Sequence, residues 1–321
     1  MTRRVIFGFK GKTPIRFRRL HPICLVVACS AAHAQAVTDA ELQKRANAIL
    51  TLMGFAVTPD VTTGSLSLTD TTAGNPYFRQ TSLSGGGTLR GKRLYLEGTL
   101  AYGRYNPEFA TDDDPTAARI AVKWESVLAT GGVGWDFPVA PGLVLRPIFN
   151  ASLGSITSEA PAPPAPPAPG RRAALDFITD GRLNSYGFGG SLMLDYERYR
   201  PENEIDAELR FSHIHLQSFD SSQSVEGNAD AQTLSLWSRY RAPTGMSALE
   251  RPVRYVLEYA HTRFLGDLEG ALGFRYVNAF GAGLELDSSA REVHVERTRL
   301  MVRYKVGNNV TGWAVGLGLS F

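Results

Sequence analysis

Trp313-Ala314-Val315-Gly316-Leu317-Gly318-Leu319-Ser320-Phe321 ends the chain, and its period is two. Trp313, Val315, Leu317, Leu319 and Phe321 share one face of an extended strand, and Ala314, Gly316, Gly318 and Ser320 share the other. A helix would scatter both sets around its axis, so this stretch reads as a strand with one apolar row. The same alternation recurs upstream. Leu94, Leu96, Leu100 and Tyr102 oppose Tyr95, Glu97, Thr99 and Ala101, and Leu143, Leu145, Phe149 and Leu153 oppose Arg146, Asn150 and Ser152. Tyr186, Phe188, Leu192, Leu194 and Tyr196 oppose Asp195 and Glu197; Ile205, Ala207, Leu209 and Phe211 oppose Asp206, Glu208 and Arg210. Val253, Tyr255, Leu257 and Tyr259 oppose Arg254 and Glu258, while Leu300, Val302 and Tyr304 oppose Arg297, Arg299 and Arg303.

Alternation alone also suits a soluble sandwich, so strand length decides. Soluble strands average about five or six residues, whereas a tilted strand needs about 9–11 to cross a bilayer. Most of the alternating segments here are longer than that. Strands are expected at 61–70, 76–88, 93–105, 119–137, 143–157, 183–199, 204–218, 231–242, 252–264, 272–287, 292–305 and 310–321. Aromatics gather near the segment ends: Tyr102 and Tyr105, Trp135 and Phe137, Tyr196 and Tyr199, Tyr304. Such residues form interfacial girdles on membrane barrels. The connections also separate by length. The three longest, near 106–118, 158–182 and 219–230, are odd-numbered; the even-numbered ones are mostly tight, apart from Pro243 to Arg251. Short turns on one side and long loops on the other fit a membrane barrel. The expected fold is all-β: a transmembrane antiparallel barrel of about 12 strands over 61–321, closed because hydrocarbon leaves no partner for an open edge. Ile120, Val122 and Trp124 are out of phase with Val127, Val133 and Trp135, so a bulge is expected near Glu125.

Ahead of the barrel, residues 37–60 form a helix and linker. Thr38 with Glu41 makes a capping box, Gly54 is a suitable stop, and Leu42, Ala46, Ile49, Leu50 and Met53 keep helical spacing. Such a helix is either a plug inside the barrel or a small helix at its mouth. The small row Ala314, Gly316, Gly318 and Ser320 would leave room for a plug. Residues 1–36 read as an export signal: Arg16, Arg18 and Arg19 precede the apolar stretch Ile23 to Ala32, and cleavage can follow Ala34 or Ala36. Cys24 and Cys29, the only two cysteines, fall inside it, so an exported chain has none; lipidation at Cys29 is the rival processing route.

The formal charge of +3 over 321 residues is misleading, because seven of the 34 Lys and Arg lie in residues 1–36. The remainder is acidic, which excludes a nucleic-acid partner argued from overall charge. Lipid of the outer membrane is the expected surrounding, with the chain as a monomer.

The terminal strand Trp313, Val315, Leu317, Leu319, Phe321 resembles the assembly signal of outer-membrane proteins, which the barrel assembly machinery reads. Twelve strands after a short helix resemble the translocator domain of autotransporters. About 25 residues separate the cleavage site from the first strand, leaving no room for a passenger. The chain over 38–321 therefore resembles the solitary outer membrane autotransporter β-barrel domains, in whose style run Gly131-Gly132-Val133-Gly134-Trp135 and Ala282-Gly283-Leu284-Glu285-Leu286. That resemblance implies a bacterial outer-membrane location, no cofactor and no catalytic residue.

The sequence offers few candidates for chemistry. Lipase barrels of twelve strands resemble one another in a His-x-Ser pair, and no His here has Ser two positions on. His213 and His215 share a strand face but lack a third metal ligand in sequence. Asp112-Asp113-Asp114 reads as a solvated charge run rather than a protease rim, and the proline-rich stretch 161–169 as an extended polyproline insertion. The expectation is a non-enzymatic barrel, possessing no catalytic, metal or cofactor residues. Arg297, Arg299, Arg303, Glu208, Arg210 and Glu258 are the expected lumen charges, setting ion selectivity or filling the lumen with salt bridges. The alternatives are a surface lipase or protease, and an adhesin.

Overall fold

A computed structural model describes residues 39–58, 64–70, 77–106, 108–110, 119–159, 181–220, 226–288 and 296–320. It contains one helix, α1 (Asp39–Val57), followed by β1 (Gly64–Asp70), β2 (Tyr77–Thr88) and β3 (Leu94–Tyr105). A small hairpin, β4 (Glu108–Ala110) and β5 (Arg119–Ala121), precedes β6 (Lys123–Trp135) and its continuation β7 (Phe137–Ala140). Then come β8 (Leu143–Glu159), β9 (Arg182–Tyr199), β10 (Glu204–Phe219), β11 (Asn228–Ala248) and β12 (Arg251–Gly266). β13 (Tyr276–Asp287), β14 (Arg297–Gly307) and β15 (Val310–Ser320) complete the chain.

Each long strand pairs antiparallel with its sequence neighbours, and two ladders close the circuit. β15 returns to β1, from Ser65 opposite Val315 to Asp70 opposite Val310. β6 runs unbroken against β8, from Lys123 opposite Glu159 to Gly134 opposite Ile148. With β6 and β7 counted as one strand and the β4–β5 hairpin set aside, twelve strands form a closed antiparallel ring.

The two faces differ as the alternation requires. Outside, Trp313, Val315 and Leu317 are exposed by 54–61%, and Leu284, Leu300, Val302, Phe280, Leu257, Leu192 and Phe149 are similarly bare. Inside, the intervening residues are buried. The terminal row is thus on the outer face as far as Leu317; the side chain of Leu319 and all of Phe321 lie outside the described residues.

Three local expectations are corrected. There is no bulge near Glu125: β6 keeps one register against both β3 and β8, and Trp124 is buried because it points into the lumen. Pro243 to Arg251 is not a long loop. β11 and β12 stay paired to Ala248 and Arg251 across a slip between Pro243 and Ser247. A two-residue turn, Leu249-Glu250, closes them with φ of 51° and 57°, values that β-hairpins favour but Leu and Glu seldom adopt. Residues 289–295, which include the expected strand start at 292, lie outside the described residues, and β14 is described from Arg297. Two of the girdle aromatics also face inward: Tyr105 packs on Trp124 with centroids 6.1 Å apart, and Arg241 sits 5.8 Å over Tyr199.

α1 lies within the lumen, against the inner faces of β11, β10, β6, β8 and β3. Ala46, Ile49, Leu50, Met53 and Val57 are buried among Trp124, Leu128, Ile156, Leu183, Ile214 and Leu216. These wall residues lie near the ends of strands that lead into the long connections, so the helix fills that half of the barrel. The amide of Asn228 donates to Oδ1 of Asn47 at 2.9 Å, tying one flank of the helix to β11. Gly54 does not stop the helix, which continues to Val57. Its role is close approach: a Cβ there would meet Leu268 Cδ2 at 2.7 Å and Ala231 Cβ at 3.1 Å. Nor does the small row of β15 house the helix, whose principal contacts are with other walls. A Cβ at Gly318 would instead lie 3.4 Å from Nη1 of Arg299.

Candidate functional site

The lumen is the site. Below α1, toward the short turns, charged side chains from opposite walls meet. Arg210 on β10 reaches Glu97 on β3 with two bonds of 2.7 and 2.8 Å. In the ring β3 and β10 are separated by β6, β8 and β9, so this pair spans the lumen. Asn150 donates to the same carboxylate at 2.6 Å, and Ser191 and Ser212 bridge onward to Arg210 at 2.8 and 3.0 Å. Arg146 is held by Asp136 and Asp195 and lies 4.0 Å over the ring of Tyr95.

A second cluster occupies β10–β14. Glu204 takes Arg241, Arg254 and Arg297 at 2.9, 2.6 and 2.6 Å. Asp206 takes Arg239 and Arg241, and Asp287 takes Arg254. Glu285 is fully buried and faces Arg299 at 2.6 Å, Arg241 at 3.4 Å and Arg297 at 3.6 Å. Arg303 bonds Glu258 at 2.7 Å. Guanidinium forks suit this work because each can serve two carboxylates at once.

All six expected lumen charges therefore lie on the inner row. Arg297 and Arg299 join the β10–β14 cluster, Arg303 pairs with Glu258, and Arg210 pairs with Glu97. Glu208 stands apart, with no hydrogen bond or ion pair to any described residue. The expected set omitted Glu97, Asp136, Arg146, Asp195, Glu204, Asp206, Arg239, Arg241, Arg254, Glu285 and Asp287. The same period-two rule marks every one of them as inward; what sequence lacks is which wall each would meet.

The histidines also gain a setting. His213 and His215 face outward, and both approach Oδ1 of Asp230 on β11, at 3.2 and 2.8 Å. His261 bonds Oδ1 of Asn278 at 2.9 Å. Among the described residues no histidine meets a serine or threonine hydroxyl, the contact a nucleophile and its base would make. His294, Asp112-Asp113-Asp114 and the 161–169 stretch lie outside the described residues.

No protein-family model matches the sequence, and no curated protein does either. Among solved structures, the chain is similar to the β-domain of the Bordetella autotransporter BrkA, with a TM-score of 0.47 and 13% identity over 80% of this chain and 96% of that one. It is also similar to the translocator domain of the autotransporter NalP from Neisseria meningitidis (0.45, 11%, 88% and 96%). The transport unit of the autotransporter AIDA-I from Escherichia coli gives 0.44 and 9% over 87% and 99%. Values this low add nothing to the fold already read from the strand pairing.

Proposed function

We propose that this chain is an integral outer-membrane barrel of the autotransporter translocator type, with a narrow pore that α1 plugs, and that it is not an enzyme. One observation supports the reading most: a closed ring whose outside is apolar and exposed while its inside holds a helix and a charge network. A belt of Leu, Val, Phe, Trp and Tyr around the ring is far larger than a soluble monomer leaves bare. Lipid covers that belt at no cost in unpaired backbone groups, because a closed ring has no edge. The alternating row Trp313, Val315, Leu317, Leu319, Phe321, outward as far as Leu317, is the stretch that barrel assembly machinery would engage. The barrel works as a monomer, without cofactor, metal or nucleic acid.

The lumen is closed at two levels, by α1 and by the Arg–carboxylate layer beneath it. Removing residues 39–57 deletes the thicker obstruction and leaves side chains that ions can pass between. In planar bilayers this deletion is expected to raise unitary conductance several-fold over the intact chain. Gly54→Leu, which drives a side chain into Leu268 and Ala231, is expected to give intermittent openings of similar size. Silence from the intact chain and from both variants contradicts the pore.

A further inference from the structure

A cavity of about 160 Å³ lies in the lumen beside the C-terminal end of α1. Toward the long loops its wall is aromatic. Phe55 packs on Phe264 and Phe274 with centroids 4.8 and 5.7 Å apart, Phe264 and Phe274 are 5.6 Å apart, and Phe78 joins them. The space exists because the facing strands carry small residues there, Ala260 on β12 and Ala279 and Gly281 on β13. An engineered apolar cavity of about 150 Å³ takes up benzene, so one six-membered ring fits.

The floor of the cavity is charged but not balanced. Arg210 and Arg303 are already engaged by Glu97 and Glu258, and Lys305 has an interaction of its own. The next cations out, Arg146 and Arg239, are held by Asp136, Asp195 and Asp206. Glu208 alone lines the cavity with a carboxylate that no described residue bonds. Its cross-strand partner is Trp237, which brings a fifth aromatic ring to the wall. A partly buried carboxylate without a counter-charge is costly in low-dielectric surroundings. Rings around such a group add cation–π attraction for an organic ammonium that pairs with it.

We propose that this cavity binds a small organic ammonium: one aromatic or compact apolar body carrying a primary amine, the body among Phe55, Phe264 and Phe274 and the amine on Glu208. The proposal goes beyond the pore reading and does not depend on it, since the cavity exists with α1 in place.

Three probes of one ring size test it: benzylamine in its ammonium form, benzyl alcohol and benzoate, each titrated into the refolded full chain in micelles and followed by calorimetry. Benzylamine is expected to bind about tenfold or more tighter than benzyl alcohol, the difference one charge-assisted hydrogen bond makes, with benzoate weakest. Glu208→Gln is expected to bring benzylamine down to the level of benzyl alcohol and leave the alcohol unchanged. Ala260→Leu fills the cavity and is expected to weaken benzylamine and benzyl alcohol together. Equal binding of the three probes, no binding at millimolar concentration, or benzylamine affinity untouched by Glu208→Gln overturns the assignment. If Glu208→Gln does not fold, the order of the three probes on the unaltered chain decides alone.

Discussion

Glu285→Ala is expected to be among the most destabilising single changes in the barrel, lowering unfolding free energy by about 3–5 kcal/mol. Glu285 has no solvent exposure, and it faces Arg299 and Arg297 of β14 and Arg241 of β11. Removing it strands guanidinium groups in a space that supplies few replacement acceptors. The next carboxylate, Glu204, is already shared by Arg241, Arg254 and Arg297 and takes up little of the excess. Restoring a shorter acid by Glu285→Asp is expected to recover part of the loss. Arg90→Ala serves as the contrast, since the Arg90–Glu296 pair at 3.4 Å lies at the exposed surface and contributes about 0–1 kcal/mol. Guanidinium unfolding of refolded protein, read by intrinsic tryptophan fluorescence, checks both. An unchanged midpoint for Glu285→Ala would mean that water, not the protein, satisfies this layer.

Val302→Arg is expected to destabilise the barrel in lipid by about 2–4 kcal/mol, the cost of a basic residue on a lipid-facing strand near the bilayer midplane. Val302 is central in β14, points outward at 48% exposure, and stands between Ala282 and Val315 on the neighbouring strands. The size of the effect comes from the surroundings rather than from any lost contact, because an exposed valine packs against little protein. Moving the same substitution to the rim, at Thr298, is expected to cost about 0–1 kcal/mol. Folding titrations in vesicles measure both. A soluble protein would tolerate Val302→Arg as an ordinary surface change, within about 0.5 kcal/mol.

Most of the barrel was legible because lipid outside and polar groups inside impose a strict period of two. The contrast fades where α1 lies. There the inner wall is itself apolar, with Trp124, Leu128, Ile156, Leu183, Ile214 and Leu216 packed on the helix. On β10 the pattern even inverts above Phe211: His213 and His215 point out while Ile214 and Leu216 point in, as in a soluble sheet. The same cause made Trp124 resemble the product of a bulge, since an apolar residue on the inner row looks like a slipped register. β1 and β2 were faint for a different reason, their Ser, Thr and Gly content leaving little hydrophobic contrast.

Turn chemistry was the other blind spot. Leu249-Glu250 adopts a left-handed turn without Gly, Asn or Asp, so Pro243 to Arg251 carries no hairpin signature. Gly54 misled in the opposite sense, being a helix stop by composition and a close-packing site by geometry. For the candidate site, inward direction followed from alternation for every charge. Partnership did not, because Glu97 and Arg210 are 113 positions apart and meet only once the ring closes.

Alternation of environment along β15 tests the central claim most directly. The chain beyond residue 36 has no native cysteine, so single cysteines at 313 to 318 can each carry a spin label in a reconstituted bilayer. Oxygen, concentrated in hydrocarbon, is expected to relax labels at 313, 315 and 317 strongly and those at 314, 316 and 318 weakly, with a water-soluble nickel reagent reaching none of the odd positions. Uniform access by the nickel reagent, or a repeat near 3.6, would contradict a lipid-facing strand in a closed barrel.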